Sequence, residues 1–202
     1  MAPVIPRPDR IKGFADAAAF EAWLAHHHDT ETELWLKIFK KGSDTPTISY
    51  AEALDVALCW GWIDGIRKSF DASAFLQRFS PRRPKSIWSQ KNRDHVARLT
   101  EAGRMRGEGQ AHVDAAKKDG RWAAAYASPA NTKIPQDLLD SIAADKAAQA
   151  LFEQLDKTNR YALAFRLGNL KTAAGRARKI QGFVDMLAKG ETIYPRPKSK
   201  KS

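Results

Sequence analysis

The sequence predicts an α+β domain followed by a small all-helical domain. Short apolar runs with strand alternation are interspersed with helical periodicity up to about residue 128, whereas every patterned segment after Pro135 has helical spacing. The proline-containing stretch SPANTKIPQ lies between the two parts and is typical of a linker. We therefore expect an extended arm at 1–13, an α+β domain at 14–128, a linker at 129–136, a helical domain at 137–190, and a disordered basic tail at 191–202.

The composition is that of a globular protein with an unusually high positive charge. Of the 202 residues, 43% are hydrophobic and 28% are charged, and the formal net charge is +11. This charge favours anionic partners, whether small or polymeric. The single cysteine excludes an internal disulfide. The N-terminus lacks the apolar run of a signal peptide, and no stretch approaches the roughly 20 apolar residues that span a bilayer. We therefore expect a cytoplasmic protein without membrane insertion.

Capping residues and apolar periodicity define the elements of the first domain. Asp16 is a suitable N-cap for a first helix, and Ser49 with Glu52 forms a capping box for a second. A turn at Asp71 joins two short apolar runs, which predicts a hairpin. The predicted elements are, in order, a helix at 16–27, a strand at 33–40, a helix at 50–60, strands at 66–70 and 74–79, a helix from Ser86 or Ser89 to 101, and a helix at 110–119.

Four helices are predicted in the second domain. In the last of them Ile180, Phe183, Val184 and Leu187 recur at helical spacing, so they supply its buried face. Gly190 then ends that helix. The four predicted helices span residues 136–144, 146–155, 159–170 and 173–188.

The segment from Cys59 to Asn92 concentrates the unusual chemistry. It holds three of the six tryptophans and a cluster of cations around a Pro-Arg-Arg-Pro corner. Indole rings set among guanidinium groups suit a planar or phosphate-bearing anion, so we predict an anionic small molecule or a phosphate group as the ligand, and no cofactor. The candidate ligand-binding residues are Trp60, Trp62, Asp64, Lys68, Arg78, Arg82, Arg83, Trp88, Ser89 and Asn92.

Each of these candidates also has a plainer structural interpretation. Asp64 is the candidate general acid or base; the alternative is a turn carboxylate, or a partner of Arg67 or Lys68. The arginines form either a fork for phosphate or carboxylate, or a solvated edge. Ser89 begins a helix whose free amides hold a phosphate in one interpretation and is only the N-cap in the other. Cys59 is interpreted as a small buried hydrophobe.

Two further clusters lie outside that segment. The run from His26 to His28 ends a helix, where adjacent side chains point about 100° apart, so no metal site is predicted there. A secondary basic face near the C-terminus is either a nucleic-acid stripe or a solvated face. That face comprises Lys171, Arg176 and Arg178.

Three motifs, GWIDG, FSPRRPKSIWSQKN and LTEAGRM, resemble those of the YdeI/OmpD-associated protein family. The resemblance covers most of the chain, from the helix around Phe20 to the last helix. It implies a place in the YjbR/CyaY-like superfamily, with an antiparallel N-terminal sheet flanked by helices and a small helical domain labelled as bacteriocin-protection. No catalytic activity is established for that family, so the resemblance implies no catalytic residues. In the last helix this chain has Ala174 and Gly175 where the family tends to have Glu and Thr.

These observations leave three hypotheses about function. The leading one is a non-catalytic binding protein with an anion pocket, whose role in protection against bacteriocins or antimicrobial peptides is implied by the resemblance alone. The first alternative is a nucleic-acid-binding protein that stacks bases on aromatic rings. The second is an enzyme that acts on an anionic small molecule with Asp64 as the acid or base. The sequence does not identify a protein partner.

Overall fold

A four-stranded mixed sheet lies at the centre of the N-terminal part of the chain. The computed structural model describes residues 4–127, 132–168, 170 and 172–195. The chain divides into two units, Met1–Ala125 and Tyr126–Ser202. The first unit contains the sheet, and the described residues of the second contain helices and loops. The division therefore falls a few residues before the boundary at 128 that the sequence predicted.

The sheet has the strand order β1-β2-β4-β3. Its strands are β1 (Ile11–Gly13), β2 (Leu34–Phe39), β3 (Trp62–Ser69) and β4 (Ala74–Pro81). The central pairs are antiparallel, as predicted, but β1 pairs with β2 in parallel, so the sheet is mixed rather than antiparallel. The segment that the sequence placed in an extended arm thus contributes an edge strand. Three residues are too few to show alternation, and their pairing depends on a partner more than 20 residues away.

A β-bulge interrupts the pairing of β3 with β4. Asp64 is opposite Phe79 and Arg67 is opposite Gln77, so β3 has one more residue than β4 between these two pairs. The amide of the buried Gln77 donates a hydrogen bond to the carbonyl oxygen of Gly65 at 2.9 Å, which holds the extra residue in place. Because directly opposite residues share a face of a sheet, Asp64 and Arg67 both lie on the face of Phe79 and Gln77. Strict alternation would have placed them on opposite faces.

Four α-helices complete the first unit, with a short 3₁₀ turn at Pro8–Arg10. They are α1 (Ala17–His27), α2 (Tyr50–Cys59), α3 (Gln90–Glu101) and α4 (Gly107–Lys118). The predicted caps are present: Asp16 and Ser89 each accept a hydrogen bond from a backbone amide of the first turn, and Ser49 with Glu52 forms a complete capping box. The sequence therefore placed these helix starts correctly where a side-chain cap marks them.

Helix α2 is shared between two hydrophobic cores. One of its faces, with Ala53 and Val56, packs with α1 and the sheet. The other, with Leu54 and Leu58, packs with α3 and α4. Helix α4 approaches the end of α2 so closely that a Cβ atom built on Gly109 would lie 2.6 Å from the carbonyl oxygen of Leu58 and nearer still to that of Cys59. Only glycine is compatible with this approach.

The described residues of the second unit form four helices around a separate core. They are α5 (Gln136–Ala143), α6 (Lys146–Glu153), α7 (Lys157–Gly168) and α8 (Ala173–Ala188), close to the predicted bounds. Ile180, Phe183, Val184 and Leu187 are buried in that core, as their spacing predicted. The segment after α8 was predicted to be part of a disordered tail, but Tyr194 is tied to Asn159 by two hydrogen bonds. Residues 196–202 of that predicted tail lie outside the described residues.

Candidate functional site

Two of the three candidate tryptophans are core residues. Trp62 is 1% exposed and belongs to the core between the sheet and α1, where its indole N–H donates to the carbonyl oxygen of His28 at 3.0 Å. Trp88 is 2% exposed and belongs to the other core, with its ring centroid 4.9 Å from that of Trp122. Trp60 is half-buried beside the His28 ring. The structure therefore does not bring Trp62 and Trp88 together on one surface.

The Pro-Arg-Arg-Pro corner contains one buried arginine and one exposed arginine. Arg82 is 5% exposed; its guanidinium carbon lies 3.7 Å from the centre of the Trp88 ring, and its Nη2 donates to the carbonyl oxygen of Ile87 at 2.9 Å. Arg121 donates in the same way to the carbonyl oxygen of Ser86. Both arginines thus fix the loop between β4 and α3. Arg83 points into solvent at the same corner.

The other candidates from this segment are distributed over separate contacts. The Nε of Arg78 is 2.7 Å from Glu33, which makes an ion pair at the sheet rim. Lys68 lies opposite Leu76 and is half-buried. Ser89 is the N-cap of α3, and it accepts its hydrogen bond from the backbone amide of Asn92 at 3.1 Å. The ten predicted residues therefore do not converge on one concave surface.

Asp64 has a partner that the sequence did not suggest. The Tyr50 hydroxyl donates a hydrogen bond of 2.8 Å to a carboxylate oxygen of Asp64. Burial, this hydrogen bond and the negative charge of Asp64 all raise the pKa of Tyr50 well above its ordinary value. The phenol therefore stays protonated. Neither Arg67 nor Lys68 pairs with Asp64 among the described contacts. The pair instead joins the start of α2 to β3, next to a groove.

This groove lies between the loop that follows β2, the start of α2 and the face of the sheet that carries Phe75. It has a volume of about 520 Å³ and is open to solvent. Three of its residues are cationic, three are aromatic and none is acidic. The lining residues are Ile38, Phe39, Lys40, Lys41, Gly42, Ser43, Thr47, Ile48, Ser49, Tyr50, Arg67 and Phe75. Cations and aromatic rings are the groups that the sequence led us to seek, but they meet at a different place.

The three cations of the groove differ in how they are held. The Arg67 guanidinium carbon lies 3.6 Å from the centre of the Phe75 ring, so the guanidinium rests flat on the ring. The Lys40 ammonium donates to the carbonyl oxygens of Asp71 and Ala72 at 3.1 and 3.0 Å. The Lys41 side chain is exposed in the turn that Gly42 allows with its φ of 91°. Within residues 4–127 none of the three forms an ion pair with a carboxylate.

The sequence held a partial signal for this groove. Lys40 ends a predicted strand and Lys41-Gly42 directly follows it, and a basic turn at a strand end is a candidate anion site. The sequence suggested Arg67 only as a partner for Asp64. Its contact with Phe75 depends on the bulge that turns Arg67 towards that face, and no local pattern announces this bulge.

The histidine run at the end of α1 holds backbone carbonyls. His27 Nδ1 is 2.8 Å from the carbonyl oxygen of Trp23, and His28 Nδ1 is 3.1 Å from that of Leu24. Among the residues that the structure describes, no group of three or more metal-binding side chains is close enough to share an ion. Among the same residues, no helix has the length and apolarity needed to cross a membrane.

The secondary basic face is only partly described. Lys171 lies outside the described residues. Arg176 forms two hydrogen bonds of 2.6 and 2.8 Å with Asp137, so its charge is used to hold α8 against α5. Arg178 is exposed to solvent. Because Arg176 is paired with Asp137, the three predicted residues do not form a stripe of three free cations.

Fold and groove together define a two-unit α+β protein with a basic groove walled by aromatic rings. Residues 12–112, half of the chain, match the family model described as a domain of unknown function, DUF8412. Residues 131–190 match the family model described as bacteriocin-protection, YdeI or OmpD-associated. The chain therefore belongs to the DUF8412 family and carries a YdeI/OmpD-associated domain, which confirms the resemblance for that part. No curated protein and no solved structure matches the chain. The place in the YjbR/CyaY-like superfamily stays a prediction.

Proposed function

We propose that this protein is a non-catalytic binding protein whose groove beside β2 and α2 holds a small anionic ligand. The observation that carries the proposal is the composition of the groove wall: Lys40, Lys41 and Arg67 face it without a single acidic neighbour in the lining. Cations without carboxylate partners in a cleft raise the local concentration of anions. A charge-assisted hydrogen bond from such a group to a carboxylate or phosphate is about twice as strong as a neutral one.

The ionisation of Tyr50 and Cys59 does not favour a role for either as a general base or nucleophile. The Tyr50 hydroxyl donates a hydrogen bond to Asp64, and its raised pKa keeps the phenol protonated at neutral pH. Asp64 already accepts that hydrogen bond, and it is not among the lining residues. Burial raises the pKa of the Cys59 thiol to about 11, so the thiol is neutral and is not a nucleophile. These features favour binding over the enzymatic alternative.

The groove is preferred to the Pro-Arg-Arg-Pro corner because of what the arginines contact. Arg82 is buried against Trp88 and is used to hold a loop, and Arg78 is paired with Glu33. Arg83 is exposed to solvent. An exposed single charge binds an anion weakly, since solvent and salt screen the attraction. Arg83 is therefore the matched control for the groove cations.

The test is a titration of the protein with inorganic phosphate and with benzoate, followed by calorimetry or amide chemical shifts, in a buffer of about 50 mM ionic strength. We expect Arg67→Ala and Lys41→Ala each to weaken binding by about tenfold, because each removes one of the positive charges that line the groove. Arg83→Ala should leave binding unchanged. If Arg83→Ala abolishes binding and Arg67→Ala does not, the corner is the site and the groove proposal is wrong.

Absence of binding by both anions would also contradict the proposal. A labelled oligonucleotide in the same buffer completes the comparison. Oligonucleotide binding that falls steeply with salt, in a protein that binds neither small anion, would favour the nucleic-acid alternative.

The cellular role that fits this proposal is an indirect one. The description of the family at 131–190 names bacteriocin protection. A protein with a formal net charge of +11 repels cationic peptides, so capture of such peptides by direct attraction is disfavoured. We propose instead that any protective role passes through the small anion held in the groove.

A further inference from the structure

The groove has an apolar floor beneath its charged rim. Ile38 and Ile48 are 3% and 1% exposed, and the half-buried residues Tyr50 and Phe75 line the groove with them. A bare phosphate or acetate ion leaves this floor wet and gains nothing from it. A ligand with an apolar body covers the floor while its anionic group stays at the rim. The groove volume of about 520 Å³ also exceeds what a bare ion fills and is in the range of small-molecule sites.

Arg67 adds a preference for a flat ligand. Its guanidinium is planar and rests with one face on the Phe75 ring at 3.6 Å. An exposed guanidinium held in this way offers its other face to a second planar group, which would continue the stack. The bulge fixed by Gln77 holds Arg67 on this face of the sheet. The flat surface is therefore part of the fold and is present before a ligand binds.

The number of adjustable cations limits the charge of the ligand. The Lys40 ammonium is already satisfied by two backbone carbonyls, whereas Lys41 lies in an exposed turn and Arg67 is free of carboxylate partners in the described part of the unit. Two cations suit one carboxylate or one phosphate monoester. A polyanion with several phosphates would need more cations than the lining provides.

From these three features we infer that the ligand of the groove is a planar aromatic ring carrying one carboxylate or phosphate group, with the ring stacked on Arg67 and the anion at Lys41. This inference rests on the proposed anion-binding function and specifies the class of ligand. The ring and the anionic group have separate contacts, so their contributions can be measured separately.

The experiment compares matched ligands on the full chain. Benzoate, cyclohexanecarboxylate and acetate share a carboxylate, but the first has a planar ring, the second has a puckered ring of similar apolar size, and the third has none. Phenyl phosphate and inorganic phosphate form a second set, with and without a planar ring. Comparison of the two sets shows whether the groove prefers a phosphate or a carboxylate group. We expect benzoate to bind about tenfold more tightly than acetate, and about threefold more tightly than cyclohexanecarboxylate.

Arg67→Lys is the decisive variant, since it keeps the positive charge and removes the planar group. It should abolish the preference for benzoate over cyclohexanecarboxylate while acetate binding changes by less than about twofold. If acetate and benzoate bind equally well to the wild type, the inference is wrong and the anion-binding function stands. If none of the five anions binds, both are wrong. An unchanged benzoate preference in Arg67→Lys would also overturn the stacking.

Discussion

Gly109 in α4 is the position where one added methyl group has the clearest consequence. A Cβ atom there would lie 2.6 Å from the Leu58 carbonyl oxygen and 2.7 Å from the Cys59 carbonyl carbon. These are backbone atoms and have no rotamer by which to move away. Ordinary carbon–oxygen contacts are about 3.3 Å or longer, so Gly109→Ala requires α4 to move away from α2 by roughly 1 Å. That displacement also strains the hydrogen bond from the Arg106 amide to the Cys59 carbonyl.

The size of the effect follows from three contributions. Overpacking costs about 1–3 kcal/mol, and a weakened hydrogen bond costs about 1 kcal/mol more. Replacing glycine by alanine inside a helix returns at most about 1 kcal/mol. We therefore expect Gly109→Ala to lower the free energy of unfolding by about 2 kcal/mol, which lowers the Tm by roughly 6–10 °C for a unit of this size.

Tryptophan fluorescence during urea or thermal unfolding is the appropriate assay. All six tryptophans belong to the first unit, so the signal reports on that unit alone. Gly107→Ala is the matched control, since Gly107 lies in the same helix and a Cβ atom built on it has no neighbouring atom within 4 Å. It should be neutral or stabilise by up to about 1 kcal/mol. If Gly109→Ala is as stable as Gly107→Ala, the close packing of α4 on α2 is not real.

Two further predictions concern a histidine and a buried amide. Burial, together with the charges of Arg82 and Arg121, lowers the pKa of His112, so the unfolded chain binds its proton at a higher pH than the folded chain does. The contribution of His112 to the free energy of unfolding is therefore fully present above its ordinary pKa of 6.5. This contribution is lost as the pH falls from 6.5 through the lowered pKa of the folded state. His112→Gln should flatten the pH dependence of the tryptophan-detected stability between about pH 7 and pH 5; a slope equal to that of the wild type would contradict this. In the second unit Asn159 is 1% exposed and bonds to both the amide and the carbonyl of Tyr194, so Asn159→Ala should cost about 1–3 kcal/mol by far-UV circular dichroism. Gln181→Ala, at an exposed position of α8, should change stability by less than about 0.5 kcal/mol, and similar losses in the two variants would show that the Tyr194 contact contributes nothing.

Local signals were sufficient for most of the elements. Ser49 and Glu52 predicted the start of α2, and the structure has both hydrogen bonds of the capping box. Asp71 predicted the hairpin turn, and its carboxylate accepts hydrogen bonds from the backbone amides of Ser73 and Ala74. These interactions act within three or four residues, so the sequence alone specifies them. Strand β1 has no such signal, and it was assigned to the arm.

The sequence could suggest which residue types form the candidate site, but not where in the fold they meet. The sequence predicted a site of basic and aromatic residues, but Trp62 and Trp88 are core residues of two different clusters. Burial of a ring depends on which elements pack over it, and that is decided by contacts between distant parts of the chain. The residues that neighbour a tryptophan in the sequence do not show whether its ring lies in the core or lines a binding site.

What the sequence by itself determined is the α+β and all-helical division, the capped helices, the hairpin and the strong positive charge, because each depends on composition or on neighbours along the chain. What only the tertiary structure decided is which cations meet which rings. Arg67 rests on Phe75 because a single extra residue in β3 turns it towards that face, and Lys41 and Tyr50 reach the same groove from another strand end and from a helix start. The physical reason is that strand register and helix packing are fixed by long-range contacts, which have no periodic trace in the sequence.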